Sequence, residues 1–276
     1  MSPTGPSDRG APETEAALVL ASRDGATARL LLNRPAKKNA LSNALLAELQ
    51  ARLAEAVADP EVASIVISGA GPCFSAGRDT KEFGGAARLQ DRSLDRDQAG
   101  FLGVLKALMD APKPTVAAVH GLAFGGGQAM TLACDFVIAE RDARFGNVEM
   151  AYGFPAAMNT VLLARHLGRR MGLEIALTGE TYSAERFHEI GLVNRLAEPG
   201  GLEAAVAEFT AVLDARTPWS VARTRETFRI AEDQSAEAAL HTGNQLNQLL
   251  MLQSQIEPVH SGSDAVRQAI GKRDEG

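Results

Sequence analysis

Apolar positions along this chain recur with two periods, and the switches between them mark out the elements. Residues 17–22 and 28–33 read as two strands, with Asp24-Gly25 supplying a hairpin turn between them. From Ser42, a residue suited to cap a helix, Leu45, Leu46, Leu49, Leu53 and Val57 return on one helical face. That spacing predicts a helix to Asp59, before Pro60. Residues 64–68 and 115–119 are short apolar or β-branched runs, the pattern of strands covered on both faces. A helix over about 99–111 precedes the second run, and Pro112 and Pro114 lead into it. Residues 136–139 read as a further strand and 143–146 as a short extended piece. From Pro155 onward the pattern is nearly all helical, with Ser183 and Asp264 as N-caps and Pro218 and Pro258 as punctuation. Strands alternating with helices imply an α/β body.

Two stretches follow neither period. Residues 1–14 are rich in Pro, Gly, Ser and charge, which predicts a mobile N-terminal tail. Residues 84–98 are polar and poorly patterned, reading as a flexible flap or an amphipathic helix.

Composition narrows the function classes. Apolar residues make up 45% of the 276, enough for a full hydrophobic core. A formal net charge of −6, with no basic run interleaved with aromatics, argues against nucleic acid as a partner. Cys73 and Cys134 stand far apart without metal-ligand spacing, so the expectation is no metal and a reduced, cytoplasmic setting. No apolar run has membrane-spanning length and no signal-peptide core is found, so no membrane partner is expected. The serine-hydrolase elbow G-x-S-x-G, the zinc motif H-E-x-x-H and paired C-x-x-C are all missing.

The stretch HGLAFGGGQAMTLACDF (120–136) carries the most chemistry. Three glycines, Gly125 to Gly127, join a buried strand to a segment, 128–134, suited to a helix. Glycine lets the backbone turn sharply and lets another group approach it. The first N–H groups of a helix lack partners within it and carry the positive end of its dipole. Such a turn can hold an anion, or an oxygen that becomes anionic during a reaction. A glycine triplet also serves simply as a tight connection, and on this segment alone both readings stand.

Four segments in order resemble the crotonase (enoyl-CoA hydratase/isomerase) superfamily. They are LNRPAKKNAL (32–41), CFSAGRDTKEF (73–83), the glycine stretch above, and FGNVEMAYGFP (145–155). TGETYSAERFHEIGLVNRL (178–196) resembles the family's final core motif. The resemblance implies a crotonase-like spiral of ββα units over 15–200. A helical region over 201–276 would contribute to homotrimers or homohexamers. It also implies an acyl-CoA thioester as substrate, with coenzyme A as part of that substrate rather than a tightly bound cofactor.

The same resemblance assigns roles to positions. The backbone amides of Arg78 and Gly126 would hold the thioester oxygen, leaving the Arg78 side chain outside the reaction. Ser75, Ala76, Asp79 and Thr80 match the loop around the adenine end of coenzyme A; Lys37, with Lys38 beside it, and Lys272 would reach its phosphates. Glu149 matches one of two glutamates that hold water in the family's hydratases, and Ala129 occupies the place of the other. One carboxylate can move a proton between two carbons, which is double-bond isomerisation, or support hydration less well. The two expected reactions are therefore hydration of a 2-enoyl-CoA and 3-enoyl to 2-enoyl isomerisation. The alternative is an acyl-CoA-binding or assembly subunit without catalysis. Tyr152 and Asn147 flank Glu149 as further candidates for positioning water or substrate. His120, Asp135 and His188 read as structural residues.

Overall fold

The computed structural model describes residues 17–82 and 93–256. Strands β1 (Val19–Asp24) and β2 (Thr27–Leu32) form an antiparallel hairpin. Its two loop residues are Gly25 and Ala26, one step later than the sequence suggests, because Asp24 still pairs with Thr27. Beyond β2 the sheet is parallel, in the order β1-β2-β3-β4-β6-β9, with β3 (Ser64–Gly69), β4 (Thr115–Val119), β6 (Phe136–Glu140) and β9 (Arg195–Ala197). A smaller sheet takes β5 (Leu122–Phe124), β7 (Arg144–Gly146) and β8 (Thr181–Ser183).

The unbroken apolar runs have the cause expected of them. Ile65, Ile67, Ala117, Val119, Val137 and Ala139 point into the main core, while Val66, Val116, Ala118 and Ile138 point to the opposite face. There Leu202 and Val206 of helix α7 (Leu202–Asp214) cover them. With both faces covered, the alternation of a strand turns apolar side chains to each side, so the run shows no polar-apolar period. On the main face, helix α1 (Asn43–Ala58) buries Leu45, Leu46, Leu49 and Leu53. Ser42 caps it as expected, its Oγ accepting from Leu45 N at 3.2 Å. Helix α2 (Ser93–Asp110) packs beside α1 and begins earlier than the sequence suggests.

After β4 the chain turns through β5 into helix α3 (Gly126–Ala133). The later helices are α4 (Ala157–His166), α5 (Arg169–Thr178), α6 (Ala184–Glu189), α8 (Pro218–Asp233) and α9 (Ala236–Ile256). Ser183 caps α6 by accepting from Arg186 N. The three-residue strands β8 and β9 interrupt a stretch that the sequence reads as nearly all helical. Contacts divide the chain into one compact unit ending at Pro218 and a second from Trp219. In the second unit Phe228, Leu240, Leu249, Met251 and Leu252 are exposed. The expected tail, residues 84–92 of the flap, Pro258, Asp264 and Lys272 lie outside the described residues. No helix among the described residues is long and apolar enough to cross a membrane.

Candidate functional site

Strand β5 has no length to stand alone, and its neighbours decide where the glycine turn sits. On one side Ser75 N donates to Leu122 O and Phe124 N donates to Ser75 O, each at 3.0 Å. On the other β5 pairs in parallel with β7, and Gly125 N donates to Gly146 O at 2.9 Å. The loop carrying Arg78 and strand β7, which leads into the segment carrying Glu149, are thus stitched to the two flanks of one turn.

The turn itself requires glycine. Gly125 has φ 48° and ψ −115°, a conformation that a side chain makes costly. A Cβ there would also lie 2.9 Å from Glu149 Oε2. At Gly77, φ is 94° and a Cβ would lie 2.7 Å from Phe124 O and 3.1 Å from Gly126 N. The two bends therefore approach main chain to main chain. A Cβ built on Gly126 would stand 3.3 Å from Arg78 N, so the two amides expected to act together are neighbours. Gly126 is the first residue of α3, where an N–H has no acceptor within the helix.

The Arg78 side chain has a task of its own. Its guanidinium donates to Leu41 O at 2.8 Å and to Asn43 Oδ1 at 2.9 Å, and lies over the Phe101 ring. It ties the bend to the start of α1. The segment 34–41, read as an exposed loop, is exposed only in part. Asn39 and Leu41 are fully buried, and the Asn39 amide donates to Ala70 O and Cys73 O at 2.8 Å each. The backbone at Lys38 and Asn39 is left-handed, which brings that amide inward. Lys37 and Lys38 remain on the surface.

The residues matched to the coenzyme A loop divide by exposure. Ser75 is buried, its hydroxyl donating to Asn39 O at 2.8 Å and accepting from Gly77 N at 3.1 Å. Asp79 pairs with Arg34 at 3.1 Å. Both side chains shape the loop. Ala76 is half-buried and Thr80 exposed.

Glu149 is the second residue of a short 3-10 turn, Val148–Tyr152, and its half-buried carboxyl lies against Gly125. Its Oε1 is 3.5 Å from Asn159 Nδ2, and its Oε2 is buried with no hydrogen-bond partner among the described residues. Burial pushes its pKa above the ordinary carboxylate value, against opposing hydrogen bonds from its own backbone amide and from Asn159. None of these influences is a second charge. Ala129 is fully buried among the apolar core side chains.

Sequence reasoning missed the side chains behind Glu149. Gln128 Nε2 donates to Asn147 Oδ1 at 3.1 Å and to Asn159 Oδ1 at 3.3 Å. Asn147 Nδ2 donates to Ile175 O at 3.1 Å, and Asn159 Nδ2 to Gly125 O at 2.8 Å. The available signal was a lone amide in each of two otherwise apolar helical stretches, Gln128 and Asn159. Asn147 was a candidate, but its side chain is consumed inside the protein; Tyr152 is 79% exposed. The structural readings of His120, Asp135 and His188 hold. His120 Nε2 is 2.9 Å from Gly71 O, Asp135 accepts from Thr115 N at 2.7 Å, and His188 Nδ1 is 2.8 Å from Val193 O. Among the described residues no group of three His, Cys, Asp or Glu side chains is placed to hold a metal ion.

Comparison with known proteins decides the family. The description of the enoyl-CoA hydratase/isomerase family matches residues 23–265. The chain belongs to that family. Among its relatives is the 2,3-dehydroadipyl-CoA hydratase of Escherichia coli, 34% identical over 91% of this chain and 95% of that protein. The 1,4-dihydroxy-2-naphthoyl-CoA synthase of Mycobacterium tuberculosis is 30% identical over 89% of this chain and 82% of that one. Among solved structures, an enoyl-CoA hydratase from Mycobacterium smegmatis superposes with a TM-score of 0.83 at 29% identity, covering 92% of this chain and 97% of that one. The crotonase fold expected from the motifs is therefore the fold of this chain.

Proposed function

We propose that this enzyme moves a proton on an acyl-CoA thioester, with one carboxylate, and that its reaction is 3-enoyl to 2-enoyl isomerisation. Glu149, ionised, removes a proton from the carbon next to the thioester carbonyl. The electron pair passes into the carbonyl oxygen, and the resulting enolate oxygen is held by the N–H groups of Arg78 and Gly126. Each such donor is worth about 2.7–4 kcal/mol of transition-state stabilisation. The protonated Glu149 then returns its proton to the γ carbon, the double bond moves into conjugation, and the carboxylate is restored. A carboxyl made more basic by burial is the better base for this step.

The observation that carries the choice is the company Glu149 keeps. Its carboxyl lies against Gly125 beside an amide, Asn159, and the position matched to a second glutamate is a buried alanine. One carboxyl that both takes and returns a proton needs no partner acid. The hydratase names among the relatives favour a second reading, hydration of a 2-enoyl-CoA. In either reaction Lys37, Lys38 and Lys272 are basic residues suited to the phosphates of coenzyme A, with Ser75, Ala76, Asp79 and Thr80 forming or flanking the loop at its adenine end. The exposed apolar side chains of α8 and α9 suit association with further copies as a trimer or hexamer.

The test offers a 2-enoyl-CoA and a 3-enoyl-CoA and follows the absorbance of the conjugated thioester. Gain from the second is the expected result. Loss from the first indicates hydration. Binding of both without change indicates a non-catalytic acyl-CoA-binding subunit. Full turnover by Glu149→Gln would remove the proposed acid/base.

A further inference from the structure

The buried amides behind Glu149 form a chain with one direction. Its far end is a fixed backbone carbonyl, Ile175 O, which accepts from Asn147 Nδ2. That leaves Asn147 Oδ1 as an acceptor for Gln128 Nε2, which also donates to Asn159 Oδ1. With its oxygen so occupied, Asn159 must turn its NH2 group the other way, towards Gly125 O at 2.8 Å and Glu149 Oε1 at 3.5 Å. Reversing the Asn159 amide would set its oxygen against a carbonyl and a carboxylate. All three amide residues are fully buried, with no water-exposed alternative for these groups.

Both targets of that NH2 group matter. Glu149 is the proposed proton carrier. Gly125 O belongs to the peptide unit whose N–H is that of Gly126, one of the two proposed donors. The same carbonyl also accepts from Ala129 N at 3.0 Å within the helix. A peptide whose carbonyl accepts hydrogen bonds becomes a stronger donor at its N–H, because the bonds polarise one another.

We propose that Asn159 is a positioning residue for the reaction: its side-chain amide ties the Glu149 carboxyl to the Gly125–Gly126 peptide, holding proton carrier and oxyanion donor at one spacing. The inference rests on the role given to Glu149. Gln128 and Asn147 fix the orientation of Asn159.

The experiment uses the full-length enzyme, Asn159→Leu, which has similar size and no donor, and Asn159→Asp, which keeps the shape. Isomerisation of a 3-enoyl-CoA is followed across pH, with melting temperatures measured alongside. In the wild type, activity rises with pH as Glu149 ionises. Asn159→Leu should lower kcat by about tenfold to a hundredfold with little change in KM. It should also move the rise in activity to higher pH, because a hydrogen bond to the ionised carboxyl is gone. Asn159→Asp should move it further, since a second negative charge adjoins the first. A lower melting temperature with unchanged kcat and pH profile in whichever variant folds would make Asn159 merely structural and overturn the inference. Glu149→Gln separates the two levels. If it abolishes turnover while both Asn159 variants behave as wild type, only this inference falls. If it keeps full turnover, the proposed function falls and this inference with it.

Discussion

Replacing Gly126 by alanine separates folding from chemistry at this site. Gly126 opens α3 without the positive φ of its neighbour Gly125, so alanine meets no backbone strain there. In a helix interior alanine is favoured over glycine by about 1 kcal/mol, and by less at the first position. Against that gain, the new methyl would stand 3.2 Å from Arg78 Cγ, 3.3 Å from Leu41 Cδ1 and 3.3 Å from Arg78 N. Two of these are side-chain atoms able to yield by a few tenths of an ångström, so crowding costs about 1–2 kcal/mol. The net change lies within about 2 kcal/mol, or several degrees in melting temperature for a chain of this size. Turnover should respond quite differently. An oxygen held by both amides has to come within about 2.7–3.1 Å of each nitrogen, and the methyl crowds that same space beside Arg78 N. Loss of one donor lowers kcat by about 10²–10³. The assay pairs thermal unfolding with the conjugated-thioester absorbance of a 3-enoyl-CoA reaction. A Gly126→Ala enzyme that melts like the wild type and also turns over near the wild-type rate would refute the paired-amide reasoning.

Three other outcomes follow from the same geometry. Glu149 holds its proton more tightly in the folded than in the unfolded chain, so ionising it costs stability as pH rises past the ordinary carboxylate value. Glu149→Gln should therefore melt above the wild type at neutral pH, with the gain vanishing below about pH 4; a gain that is the same at every pH would contradict this. Gly77→Ala puts a Cβ against two backbone atoms at a positive φ, a cost of about 2–6 kcal/mol, and both melting temperature and turnover should fall. Lys113 Nζ donates to Ala56 O at 2.9 Å and to Asp59 O at 2.5 Å, closing the end of α1. Lys113→Met should cost about 1–3 kcal/mol in urea unfolding and leave kcat unchanged.

What the sequence determined was local. The cap at Ser42, the helical face of Leu45, Leu46, Leu49 and Leu53, and the buried run of β4 each depend on a few adjacent residues. Periodicity reports such elements wherever they are long enough to have a period. The five motifs also carried the family and the place of Glu149, and the chain could show that residue 129 is not acidic. Strands β5, β8 and β9 have three residues each, too short for any period, and exist only through their partners.

The site itself was decided in three dimensions. Arg78 and Gly126 become neighbours because the 73–78 loop pairs with β5 and Gly77 allows two main chains to touch. Asn39 and Leu41 look like loop residues until the bends at Lys38 and Asn39 turn them inward. Nothing beside Gln128 or Asn159 in the sequence says that a carboxyl lies near one and a glycine carbonyl against it. A side-chain amide takes its meaning from its hydrogen-bond partners, and those are chosen by the path of the chain through space. The setting of the Glu149 carboxyl, against Gly125 and beside the Asn159 amide, is therefore a fact of the tertiary structure.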